Sequence, residues 1–170
     1  MEQESSDNSA DQSDPLLGDR PGLSQFIENM GLHYQEYGLT RIAGRIIGLL
    51  LVSPKPISSE EMADALQVSR SSISTNIRTL LLWELVEKVS LPGDRVDYYV
   101  LGSETWQKSL EMRLAAVMPL REVAEDGLEG LEEDHPARPR LNAMIAWVEM
   151  VEDFVQRLQN EWQSYQEAPA

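Results

Sequence analysis

Arg70, Ser71, Ser74, Thr75 and Arg78 are the residues of this chain whose types and spacing could do chemistry together. At 3.6 residues per turn they fall on one face of a helix, while Ile73, Ile77, Leu80 and Leu81 recur at i, i+4, i+7 and i+8 on the other. No acidic residue lies between Asp64 and Glu84, so the polar face is rich in hydroxyls and carries two guanidinium groups without a carboxylate in sequence reach. Guanidinium and hydroxyl donors of this kind can reach phosphate oxygens and base edges in a DNA major groove. Ser69 and Ser72, near the start of the same helix, could contact phosphate through an amide or a hydroxyl. The expected chemistry is recognition by hydrogen bonds, with no bond made or broken. A solvated polar face is the plain alternative.

Catalytic readings find little support. His33 and His135 are far apart with no ligand-spaced neighbours, and there is no glycine-rich phosphate loop and no nucleophile in a known context. We therefore expect no enzyme, no cofactor and no metal. Cysteine is absent, which removes disulfides and thiolate sites and is compatible with a reducing cytoplasm. No signal peptide is visible at the N-terminus. The most apolar run, Ile42 to Val52, is too short to span a bilayer and contains Arg45, so a soluble, cytoplasmic protein is expected.

The elements that must hold the polar face can be traced on either side of it. Ser58 with Glu61 three residues later forms a capping box and starts a helix with Met62, Ala63 and Leu66 on its apolar side. Ser69 supplies a second N-cap, so Ser58 to Trp83 reads as two helices joined by a tight turn. Leu85 to Leu91 and Arg95 to Leu101 are β-prone runs around Pro92-Gly93-Asp94 and predict a hairpin, with Val96, Tyr98 and Val100 facing the helices. A helix pair followed by a hairpin is a winged helix. Arg95, beside the turn, either reaches a flanking minor groove or phosphate, or pairs with Asp94 or Asp97.

Upstream, residues 1–20 read as a disordered acidic tail. Leu23, Phe26, Ile27, Met30, Tyr34 and Tyr37 form a helical stripe that ends at Gly38, with Gly31 weakening its middle. Its expected partner is another subunit or the C-terminal helix. Thr40 to Val52 is a core helix in which Gly44 and Gly48 would admit a second backbone, and Arg45 either reaches solvent or makes a buried ion pair. Downstream, Trp106 to Asp126 predicts a helix interrupted at Pro119, and residues 127–140 predict a loop. Leu141, Met144, Val148, Val151, Val155, Leu158, Trp162 and Tyr165 alternate steps of three and four, an a/d seam that points to a homodimer. Ile145, Trp147 and Phe154 widen it, as packing within one subunit would. The expected fold is mainly α with a small β-hairpin wing. Its parts are a tail at 1–20, an N-terminal helix plus winged helix-turn-helix at 21–104, a helical dimerisation region at 105–166 and a second tail at 167–170.

The formal net charge of −15 opposes nucleic-acid binding on its face, but its distribution matters more. From Arg41 to Val100 seven basic residues balance seven acidic ones. With a Debye length of about 8 Å at physiological salt, acids elsewhere mainly weaken non-specific association.

With these elements in place the chain resembles the MarR superfamily of winged-helix regulators. Residues 37–48 (Tyr-Gly-Leu-Thr-Arg-Ile-Ala-Gly-Arg-Ile-Ile-Gly) and 91–99 (Leu-Pro-Gly-Asp-Arg-Val-Asp-Tyr-Tyr) look like its GbsR branch, named for regulators of glycine-betaine genes. The resemblance implies a homodimeric transcriptional regulator, usually a repressor, on a pseudo-palindromic operator in double-stranded DNA. It also implies a small effector such as choline in some members. For that effector Trp106, Trp147, Phe154, Trp162 and the tyrosines of the first helix could supply an aromatic cage, although aromatic residues on amphipathic helices more often pack in a core. A protein-docking winged helix without DNA is the alternative from another class.

Overall fold

In the computed structural model, residues 21–168 are described, and they fall into two compact units that meet between Thr105 and Trp106. The expected tail at 1–20 lies outside them.

The first unit begins with α1 (Pro21–Gln35) and α2 (Arg41–Val52), joined by a turn in which Gly38 takes a φ of 87°. The two helices cross through glycine. A Cβ on Gly44 would lie 2.5 Å from the Met30 carbonyl oxygen and 2.8 Å from the Gly31 Cα, so only hydrogen fits there. Gly31, expected to weaken α1, is instead part of this close approach, and Ile27 and Tyr34 are buried beside it. The stripe on α1 thus packs on α2 of its own chain, not solely on another subunit or the C-terminal helix. Arg45 takes the ion-pair alternative. Its Nε lies 2.6 Å from Glu28 Oε1 and its terminal nitrogen donates to the Leu66 carbonyl at 2.9 Å.

A short strand, β1 (Ile57–Ser58), precedes α3 (Ser59–Leu66) and α4 (Arg70–Leu82), and β2 (Val86–Ser90) and β3 (Asp97–Leu101) close the wing. The sheet is antiparallel in the order β1-β3-β2, with Ile57 opposite Tyr99 and Val86 opposite Leu101. The buried face of β3 is that of Tyr99, not the Val96–Tyr98–Val100 face expected from the sequence. The reason is β1: fully buried Ile57 pairs with Tyr99 and sets which side of the pleat faces the helices. Val96 falls in the turn and is exposed.

The second unit holds α5 (Thr105–Leu114), α6 (Leu120–Glu129) and α7 (Arg138–Glu167). The break before α6 falls at Pro119, as expected. The expected loop at 127–140 is shorter, because α6 runs through Gly127 and α7 begins at Arg138. A Cβ on Gly127 would meet the Leu141 side chain of α7 at 3.2 Å, and the Arg138 guanidinium donates to the carbonyls of Leu128 and Leu131, both at 3.0 Å. At the other end α7 extends to Glu167, one residue into the expected tail, with Ala168 as its C-cap. Arg121 of α6 meets Glu149 and Glu152 of α7 at 3.1 and 3.0 Å. Of the a/d seam, Val148 is buried and Leu141, Met144, Val151, Val155 and Trp162 are half-buried, but Leu158 and Tyr165 are exposed. Trp147, Met150 and Phe154 add to an exposed apolar stripe.

Candidate nucleic-acid interface

The polar face of α4 is placed by its caps and by one buried amide. α3 ends at Gln67, whose φ of 52° is left-handed and turns the chain into the second helix. The Ser69 hydroxyl accepts from the Ser72 amide at 3.2 Å and lies 3.0 and 2.9 Å from the hydroxyls of Ser71 and Ser72. On the buried side of the helix, with Ile73, Ile77 and Leu80, Asn76 is bonded through both ends of its amide. It accepts from the Thr40 hydroxyl and donates to the Ser72 carbonyl at 2.8 Å. Thr40 in turn caps α2 by accepting from the Ala43 amide at 3.1 Å. The start of α2 is thereby tied to the middle of α4. Neither residue stood out in the sequence, though an asparagine inside an apolar helical stripe was the available signal.

Ser69, Arg70, Ser71, Ser74, Thr75 and Arg78 are exposed and Ser72 is half-buried. The Arg78 Nε donates to the Ser74 carbonyl of its own helix at 3.1 Å. Arg70 corrects the expectation of a face free of carboxylates. Its guanidinium pairs with Glu60 of α3, ten residues back in sequence but adjacent in space. Both side chains are mostly exposed, at 73% and 61%, so the pair contributes only ~0–1 kcal/mol and a phosphate could replace Glu60.

At the wing, Asp94 accepts from the Tyr98 hydroxyl at 2.7 Å and from the Val96 amide at 3.1 Å, and these bonds hold its carboxyl below the ordinary value. Asp97 pairs with Lys88 at 2.8 Å, a bond that raises the lysine. Both acids that could have paired with Arg95 are engaged elsewhere, and Arg95 is exposed. Behind the helix pair the capping box is complete. Glu61 accepts from the Ser58 amide at 2.8 Å and from Lys55 at 3.0 Å. Burial alone would raise the Glu61 carboxyl, but the bonds from Ser58 and Lys55 outweigh it and the net shift is downward.

Of the tryptophan and phenylalanine residues expected around an effector, Trp106 and Trp162 share one cleft and Trp147 and Phe154 do not. Trp106 lines a cleft with Leu158 and Trp162, whereas Trp147 and Phe154 are exposed outside it. At a rise of 1.5 Å per residue, Trp147 is about 16 Å along α7 from Leu158. Trp162, expected both in the seam and in the cage, is the one that shares the cleft with Trp106. Among the described residues no group of three or more His, Asp or Glu could hold a metal ion, and no helix is long and apolar enough to cross a membrane.

Residues 37–95 match the profile of the MarR family, and residues 104–165 match that of the MmpR5-like MarR family transcriptional regulators. The chain is 36% identical over 140 residues to the HTH-type transcriptional regulator MmpR5 of Mycobacterium tuberculosis, covering 79% of this chain and 85% of that one. The chain belongs to the MarR family. A crystal structure of a transcriptional regulator superposes on this MarR-family fold with a TM-score of 0.64 at 34% identity, covering 85% of this chain and 99% of that one. A more distant relative is the putative HTH-type transcriptional regulator YvaV of Bacillus subtilis, 27% identical over 56% of this chain and 54% of its own. In this MarR-family chain the three-stranded sheet and the α3–α4 pair are the winged helix, and α4 is the helix in the recognition position.

Proposed function

We propose that this regulator binds a pseudo-palindromic operator in double-stranded DNA as a homodimer, and that it represses transcription from the site. The observation that carries the reading is the exposed face of α4, where Arg70, Ser71, Ser74, Thr75 and Arg78 stand on a helix anchored by Asn76. Ser69 and Ser72 contact phosphate at its N-terminus, and Arg95 reaches the flanking groove from the wing. The homodimer is supported by α7, where Trp147, Met150, Phe154, Leu158 and Tyr165 are exposed. Two-fold pairing there would set two recognition helices against half-sites about one DNA turn apart. The protein then acts in the cytoplasm.

The test is selection of bound sequences from random duplexes, followed by binding of the selected site by an Arg70→Ala, Arg78→Ala variant. The expected loss is ~1–3 kcal/mol for each bidentate base contact, with a shallower salt dependence. Unchanged affinity in a variant that still dimerises would overturn the assignment. The net charge of −15 favours a second reading, a winged helix that docks a basic protein. That reading predicts no duplex binding even at low salt. The resemblance to the GbsR branch adds release by a small effector, with choline as the first compound to titrate against tryptophan fluorescence.

A further inference from the structure

α2 reaches both helices of the α3–α4 pair through polar bonds. Thr40, at its start, donates to Asn76 in the middle of α4. Arg45 reaches the other helix. Its guanidinium donates to the carbonyl of Leu66, the last residue of α3, at 2.9 Å. The nearby carbonyls of Ala63 and Asp64 accept from the turn itself, at Gln67 and Val68. The Leu66 carbonyl takes its donor from another element, one residue before Gln67 turns left-handed at a φ of 52°. α1 is shaped around the same side chain. A Cβ on Gly31 would lie 2.8 Å from Arg45 Cγ, and Glu28, one turn earlier, meets Arg45 Nε at 2.6 Å and Arg41 at 2.8 Å. The Nε contact lacks the alignment of a hydrogen bond, so Glu28 supplies charge and Leu66 supplies direction.

Apolar packing is non-directional and lets one helix tilt against another at small cost, whereas hydrogen bonds fix direction. Two of them, about 7.5 Å apart along α2 at a rise of 1.5 Å per residue, fix the angle between α3 and α4 as well as their position. The polar face of α4 needs that angle. Base readout holds a side chain to within about 0.5 Å of its target, whereas attraction to phosphate tolerates a tilted helix. We infer that Arg45 is a positioning residue for base readout: it fixes the α3–α4 turn through the Leu66 carbonyl, and Glu28 of α1 holds it there. The inference rests on the operator reading above and adds to it a residue outside the polar face of α4.

The experiment compares binding of the selected operator with binding of an unrelated duplex of equal length by the full chain carrying Arg45→Met, which keeps an apolar stem and removes the guanidinium. The ratio of the two affinities should fall at least about tenfold, with the affinity for the unrelated duplex and its salt dependence unchanged. In the chain without DNA, the amide resonances of Gln67, Val68 and Ser69 should move. Should Arg45→Met fail to fold, Glu28→Ala carries the test, because Glu28 is partly exposed, and it should lower the ratio about threefold. Arg41→Ala removes the other partner of Glu28 and should leave the ratio as it is. An unchanged ratio in the folded variant, an equal loss on both duplexes, unmoved turn amides, or a loss in Arg41→Ala as large as in Glu28→Ala would each overturn the inference and leave the operator reading intact. A wild-type chain that prefers no duplex would instead overturn the operator reading, and this inference with it.

Discussion

The unit ending at Thr105 and the unit beginning at Trp106 use apolar side chains in opposite ways. In the first, Ile46, Ile47, Leu49, Ile57, Met62, Ile73, Leu80 and Leu85 are fully buried by the same chain and form a core, although Leu82, Trp83 and Val96 stay exposed. In the second, Ala124 and Val148 are the buried apolar residues among those described, while Phe154, Met150 and Tyr165 are 58%, 64% and 72% exposed on one long helix. A helix of 30 residues that buries so little against its own chain leaves a long apolar stripe uncovered, the kind of surface that marks an interaction site. The difference separates the roles. The first unit can present α4 as a finished surface, whereas the proposed homodimer would make the second one side of an interface.

That contrast can be broken most sharply at the α1–α2 crossing. Gly44→Ala places a Cβ 2.5 Å from the Met30 carbonyl oxygen, a backbone atom that cannot swing aside, and should destabilise the first unit by about 3 kcal/mol in urea unfolding. Gly48→Ala meets Met30 Cβ at 3.0 Å and the Ile27 Cα at 3.1 Å, contacts that a shift of a few tenths of an ångström relieves, and should cost less. Next in size, Met150→Glu with Phe154→Glu should weaken self-association by about a hundredfold in sedimentation velocity, close to 3 kcal/mol, with the winged helix unchanged in its near-ultraviolet spectrum. Equal dimerisation by that variant would show that the exposed stripe on α7 is not an interface.

Smaller effects probe the caps. Ser58→Ala should cost about 1 kcal/mol at neutral pH. The Glu61 carboxyl it serves titrates below its ordinary value in the folded chain, so the stabilisation is fully present above the unfolded pKa of about 4.3 and is lost as pH falls through the lower folded value. The deficit of Ser58→Ala should therefore shrink below about pH 4, as read from urea midpoints across pH. The smallest change is expected from Glu60→Gln. Freeing Arg70 from its partner should raise operator affinity by up to about fivefold, and a fall in affinity would show that the pair orders Arg70 for binding.

Much of the helical framework was legible because its signals are local. The capping box at Ser58, the N-cap at Ser69, the break at Pro119 and the apolar stripe of α4 each depend on residues within a turn or two of one another. The wing was legible as a hairpin but not in its facing, because the two-residue strand β1 carries too little pattern to be read and yet orients β3. The effector residues were the least legible, since helical spacing shows which aromatic residues share a stripe and not which helix lies opposite.

What the sequence determined by itself is therefore the set of elements and the chemical character of the α4 face, through spacing, caps and hydroxyl and guanidinium content. Tertiary structure alone decided that Asn76 locks α4 to Thr40, that Glu60 pairs with Arg70 and that Trp106 meets Trp162 rather than Trp147. The physical reason is range. Backbone capping and helical periodicity act over three or four residues, whereas each of these contacts joins residues on different elements, brought together only when the core packs.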